Sequence, residues 1–147
     1  DSSGIKIMLY PHIWFWLEDF EKGVELVKRI NRKNVGITFN LPHFLAVNKP
    51  DDVQKLPTLL KKAAPHLFAV SLCGATPLSE EEKKSVGNQK LWDYFIQPLG
   101  EGTFDVQWLL HELKKIDFKG PIGLQCYNIK GDKRAILTKS ITWWNTH

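Results

Sequence analysis

Apolar positions along this chain switch repeatedly between a period of two and a period near 3.6. Residues 5–10 alternate and read as a strand, and residues 18–31 place Phe20, Val24, Val27 and Ile30 on one helical face. Residues 35–40 read as a second strand. Pro50 and Asp51 then open a helical stretch with Val53, Leu56, Leu60 and Ala63 in line, and Pro57 inside it implies a kink or a late start. Residues 67–73 form a third strand, followed by a long polar loop over residues 74–103. A loop of that length in a compact domain is more often functional than idle. Residues 104–116 supply another amphipathic helix through Val106, Leu109, Leu113 and Ile116. Gly120-Pro121 precedes a fourth strand over residues 122–126, and Asp132 caps a last helix with Leu137, Ile141 and Trp144 in line.

Strands alternating with helices imply βαβ units and a parallel sheet. Side-chain parity narrows the architecture. Ile7, Leu9, Val35, Ile37, Phe39, Phe68, Val70, Leu72, Ile122 and Leu124 give each strand one bulky face, suited to covering helices. The opposite faces carry Met8 and Tyr10, Thr38 and Asn40, Ala69 and Ser71, and Gly123 and Gln125. A sheet covered by helices on both sides wants two apolar faces. One apolar face and one small, polar face fits a (βα) parallel barrel of TIM type, its interior opening on a site. A complete barrel takes eight such units in about 250 residues, and about four are legible here. The expected fold is therefore α/β, a half barrel over residues 5–147 behind a short lead-in at 1–4. A preceding half barrel or a second copy of the chain is expected to cover its two open edges.

The length of 147 residues suffices for one domain with a core, and 43% hydrophobic and 24% charged residues are ordinary globular composition. A formal net charge of +4, scattered among acids, reads as solvated helix faces, so no nucleic-acid partner is expected. No apolar run approaches the ~18 residues of a membrane span, so no membrane partner is expected either. The two cysteines, Cys73 and Cys126, make no disulfide framework and define no compartment.

Ligands of such barrels sit beyond the carboxyl ends of the strands. Those ends read Tyr10-Pro11-His12, Asn40-Leu41-Pro42-His43, Ser71-Leu72-Cys73-Gly74 and Gln125-Cys126-Tyr127. His12 and His43 are the candidate catalytic residues, because imidazole exchanges protons near neutral pH. Tyr10, Asn40, Ser71 and Gln125 are candidate substrate-binding residues on the inward parity. Trp14, with Trp16 beside it, is placed to stack on the apolar face of a sugar. Glu101, in the turn before the third helix, is the one carboxylate placed near the barrel mouth. Trp92, Trp143 and Trp144 read as packing residues.

Tyr10-Pro11-His12, the run Val35-Gly36-Ile37-Thr38-Phe39-Asn40-Leu41-Pro42-His43, the segment 98–105 and Gly120-Pro121-Ile122-Gly123-Leu124-Gln125 carry a family resemblance. Over nearly its whole length the chain resembles the C-terminal half of the sugar phosphate isomerase/epimerase family, the xylose isomerase-like TIM barrels. That resemblance implies a carbohydrate substrate, isomerase or epimerase chemistry, and strand-end carboxylates and histidines holding a divalent metal. Here the expected carboxylates fall at Tyr10, Asn40 and Gln125, and the third-strand histidine falls near Ser71 or Cys73. His12 and His43 remain. Neutral amides are poor ligands for Mn, Mg or Zn, so no metal site is expected from this chain's own residues, and a divalent metal enters only with ligands from outside it. The expectation is an isomerase/epimerase-like protein binding a sugar; the alternative is a non-catalytic carbohydrate-binding barrel that has lost the metal site.

Overall fold

Four strands, β1 (Ile7–Leu9), β2 (Val35–Asn40), β3 (Leu67–Leu72) and β4 (Ile122–Leu124), pair in chain order, all parallel, in a computed structural model that describes residues 4–147. Each connection runs through helix. Helix α1 (Phe20–Ile30) starts where Asp19 accepts the Glu21 and Lys22 N–H groups, and ends at Asn31 in the left-handed region with φ 49°. It buries Phe20, Val24 and Val27 against Ile37 and Phe39 of β2. Strand β2 is buried along its entire length, as a central parallel strand must be.

After β2 the chain departs from expectation. The residues following Asn40 form a helix at once, α2 (Leu41–Val47), with Asn40 as its N-cap and Pro42 in its first turn. The stretch beginning at Pro50 is only a 3₁₀ turn (Pro50–Lys55). The regular helix α3 (Leu56–Ala63) starts late, so Pro57 falls in its first turn, where no N–H is needed. The long loop contains α4 (Glu80–Val86) and α5 (Leu91–Phe95), and α6 (Val106–Lys115) and α7 (Lys133–Thr146) complete the chain. Asp105 and Asp132 cap the last two.

The sequence reading needs two corrections, one of them to strand parity. Ile37 pairs with Leu67 but Thr38 pairs with Ala69, so Phe68 is an extra residue in β3. This bulge removes Phe68 from the helix-facing side. Its ring lies over Gly36, where an added Cβ would come within 2.6 Å of it, and beneath the Lys6 ammonium at 5.6 Å. The second correction concerns α7. Leu137, Ile141 and Trp144 are not its core stripe; Trp144 is 44% exposed. The helix instead buries Ser140, whose hydroxyl accepts the Leu99 N–H at 3.1 Å, and lays Trp143 over Gly100.

The exposed stripe has a place in the architecture. With Leu72, Leu99, Ile122 and Leu124, residues Ile141 and Trp144 line an apolar groove of about 170 Å³ along the outer edge of β4. At the opposite edge, Ile7 and Met8 of β1 are exposed. Open parallel edges flanked by apolar side chains call for further strands. At micromolar concentration the 147-residue chain is expected to self-associate when measured by light scattering. A stable monomer would show that these edges tolerate water.

Candidate functional site

The carboxyl ends of the strands converge on a cavity of about 300 Å³. Tyr10, His12, Trp14, His43, Trp92, Ile96, Gln125 and Tyr127 line it. Asn40, the last residue of β2, ties the floor together. Its side-chain N–H₂ donates to the Tyr10 hydroxyl at 2.6 Å and to Ser71 Oγ at 2.8 Å, while its oxygen accepts the His43 N–H at 3.3 Å. One 4%-exposed amide thus bridges three strands and starts a helix. Tyr10 and Ser71 accept these bonds, so each keeps its own O–H to donate. Burial raises the Tyr10 phenol above its ordinary value, against a lowering by the Asn40 bond, so it stays neutral.

His43, in the first turn of α2, is 6% exposed and its Nδ1 is buried without a hydrogen-bond partner. Its ring centroid lies 4.0 Å from that of His12. Burial first, and then the nearby His12, lower His43 to about 4. The two rings therefore differ in role. His12 Nδ1 is 2.7 Å from the Ile13 carbonyl, which only accepts, so Nδ1 carries the proton. Neutral His12 then holds its lone pair at Nε2. His43 stays neutral throughout the physiological range.

This arrangement makes stability depend on pH. The unfolded chain protonates His43 near the ordinary 6.5, the folded chain only near 4. The contribution is complete above about 6.5, is lost as pH falls toward 4, and levels off below. Chemical denaturation at pH 7, 5.5 and 4 is expected to show this loss in the wild type and not in His43→Gln. Equal pH slopes in the two proteins would contradict it.

Of the residues singled out from sequence, Tyr10, His12, Trp14, His43 and Gln125 line the cavity, and Asn40 and Ser71 brace it from beneath. Glu101 does not line it. The turn at Pro98–Gly100 and Glu101 packs its backbone on Gly74, where a Cβ would meet carbonyl oxygens at 2.2 and 2.4 Å, and the Glu101 carboxylate pairs with Lys139 of α7. Trp16 lies outside the cavity, at 88% exposure. Trp92, read as a packing residue, is in the wall: its ring meets His43 edge-on at 5.3 Å and Trp14 at 6.0 Å. Tyr127 and Ile96 were not singled out either. Tyr127 follows Gln125 by two residues, and the strand-end rule points to it; Trp92 and Ile96 come from inside the long loop, where no periodicity marks them.

Cys73 is buried against Phe95, Ile96 and Ile129, and burial pushes its thiol up to about 12. It is no nucleophile at neutral pH. Cys73 and Cys126 are both free.

The donor set does not suit the divalent metal that the family resemblance implies. Both functions of the Asn40 amide are spent within the protein. Gln125 Oε1 accepts the Cys126 and Tyr127 N–H groups at 3.1 and 3.2 Å, turning the chain out of β4. Among the described residues no three His, Cys, Asp or Glu side chains group to hold a metal ion. His12 and His43 alone, with neutral neighbours, make an incomplete site.

Parallel strands joined by helices in chain order, with a polar cavity at their carboxyl ends, define about half of a TIM-type (βα) barrel. The chain belongs to the xylose isomerase-like TIM barrel family, whose model matches residues 1–147. Solved structures agree on the fold. The 3-keto-D-glucoside 4-epimerase of E. coli superposes with a TM-score of 0.71 at 15% identity, over 99% of this chain and 48% of its own. The IolI protein with a bound zinc atom gives 0.73 at 21% identity, over 99% and 50%. A D-tagatose 3-epimerase-like protein gives 0.65 at 23% identity, over 98% and 47%. The chain thus spans about half the length of these solved relatives. A search of curated proteins found no match.

Proposed function

We propose that this chain forms half of a carbohydrate site and that the whole protein moves a proton on a carbon beside a sugar carbonyl. The observation that carries the reading is the pairing of two unlike imidazoles over a neutral, aromatic-walled cavity. His12 Nε2 takes the proton from carbon. The electron pair moves into the carbonyl, forming an enediolate. Tyr10 O–H and neutral His43 donate hydrogen bonds to the developing oxyanion, which in a sheltered site strengthens their effect. Return of the proton from His12 to the neighbouring carbon gives an isomer; an epimer would need a donor on the opposite face, which the remaining units of the barrel would supply. Trp14, Trp92 and Tyr127 supply faces for the C–H surfaces of the sugar ring. Ligand pockets begin near this cavity's volume, at roughly 300 Å³.

The remaining units of the barrel complete the pocket in this reading. Solved relatives are about twice as long, and the β4–α7 groove and the β1 edge offer the apolar surfaces on which such units pack. Any divalent metal would take its further ligands from those units.

Incubation with aldoses and ketoses in D₂O tests the reading. Deuterium is expected at the carbon next to the carbonyl, by mass spectrometry or NMR, and is expected to persist in EDTA. A second reading, a sugar-binding barrel without catalysis, is favoured by one observation: no carboxylate lines the cavity among the described residues. Sugar binding with no isotope exchange would select it. Neither binding nor exchange would remove both.

A further inference from the structure

A second cavity, also of about 300 Å³, adjoins the first. It is lined by Trp14, Trp92 and Tyr127, which are shared with the inner cavity, and by Asn88, Gln89 and Asn128. The three rings therefore stand between two chambers of one cleft. The inner chamber holds the imidazoles. The outer one has three amides and no charged side chain. Of the lysines nearest this lining in sequence, Lys130 is engaged by Asp93 at 3.0 Å, and Lys90, beside Gln89, is exposed and lines neither chamber.

Two residues at this junction adopt a left-handed backbone, one of them at a cost. Trp14 has φ 69° and Asn128 φ 58°. A left-handed conformation is common for asparagine and unusual for a bulky aromatic residue. It persists at Trp14 because the surroundings enforce it. The Trp14 N–H donates to Glu18 Oε2 at 2.9 Å, and His12 closes the loop by bonding Leu17 O at 2.9 Å and accepting the Phe15 N–H at 3.1 Å. The result is a Trp14 ring edge-on to Trp92, at 82° between planes, that lines both chambers.

We propose that the outer chamber is a second sugar subsite, so that the ligand is an uncharged glycoside of two rings, one in each chamber. The inference rests on the carbohydrate reading of the inner cavity. Aromatic faces match the apolar faces of a pyranose, and each carboxamide offers both a donor and an acceptor to hydroxyl groups. A phosphate ester would want a cation or a cluster of free N–H groups, and the outer lining supplies only neutral amides.

Calorimetry on the purified protein with matched pairs tests this: D-glucose against cellobiose and maltose, D-galactose against lactose, and D-glucose 6-phosphate as the charged competitor. A disaccharide is expected to bind at least about tenfold tighter than its own monosaccharide, the gain of two or three hydrogen bonds and a stacked ring. Asn88 and Gln89 are exposed, so their replacement leaves the fold intact. The double variant Asn88→Ala, Gln89→Ala is expected to lose about tenfold on the disaccharide and nothing on the monosaccharide. Equal affinity for the two members of every pair, or tighter binding of the phosphate ester, overturns the subsite and leaves the inner site standing. Binding of no sugar overturns both.

Discussion

Replacing His12 by glutamine is expected to lower deuterium exchange into the sugar by a factor of about 10² to 10⁴, the usual contribution of a positioned general base, while sugar affinity changes little. The argument is one of tautomer and access. The Ile13 carbonyl fixes the His12 proton on Nδ1, leaving Nε2 as a base in the cavity. His43 is a weak base, because burial and His12 hold it near 4. Glutamine keeps a hydrogen-bonding side chain of similar reach and removes the basic nitrogen. His43→Gln serves as the contrast: it is expected to cost less in exchange than His12→Gln, because it removes a hydrogen-bond donor and only a weak base. Equal exchange in wild type and His12→Gln would remove His12 from the chemistry.

Asn40→Leu is expected to be the most destabilising single change at the site, by roughly 3–4 kcal/mol in chemical denaturation. The amide makes three contacts: to Tyr10, to Ser71 and to the His43 N–H. Loss of the helix N-cap, which is the bond from the His43 N–H, costs about 1 kcal/mol, and loss of each of the two bonds to Tyr10 and Ser71 costs about 1 kcal/mol more. Asn40→Asp is the informative companion. It retains the cap acceptor and places a charge 2.6 Å from the Tyr10 oxygen. Tyr10 would then turn its own proton toward the carboxylate, withdrawing the donor proposed for the oxyanion. A loss below about 1 kcal/mol for Asn40→Leu would mean that water replaces the amide without penalty, and the bracing role would fall.

The inward parity of the strands made the site partly legible before any coordinates. Tyr10, Asn40, Ser71 and Gln125 do meet at one end of the sheet, because parallel strands in register bring equivalent positions to one level. Parity failed at Phe68, since a single-residue bulge shifts the alternation without altering composition. Helix α2 escaped notice because Asn40 serves both as the end of a strand and as a helix cap, and the strand pattern before it was the stronger signal. Trp92 reaches the cavity through tertiary placement of a five-residue helix, for which periodicity has too few turns to speak. Glu101 was placed near the mouth because it precedes α6. The close approach of its backbone to Gly74, and the Lys139 side chain 38 residues on, decided otherwise. The stripe on α7 was correctly read as one apolar line, and it stays exposed beside the β4 groove.

The roles of Asn40 and Gln125 explain how the fold keeps its strand ends without carboxylates. Each amide caps backbone that an ionised oxygen could also cap, and each stays neutral doing so. Carbohydrate hydroxyls, which both donate and accept, suit such a lining of phenol, imidazole and amide.

The central claim, that the strand-end cavity is a sugar site, is tested most directly by the six indole N–H signals in ¹H–¹⁵N spectra. Trp14 and Trp92 line the cavity, whereas Trp108, Trp143 and Trp144 do not. Titration with D-fructose, D-tagatose and D-glucose is expected to shift the Trp14 and Trp92 signals in a saturable way and leave those of Trp108, Trp143 and Trp144 in place. Saturable shifts confined to Trp143 and Trp144, or none with any sugar, would contradict the account.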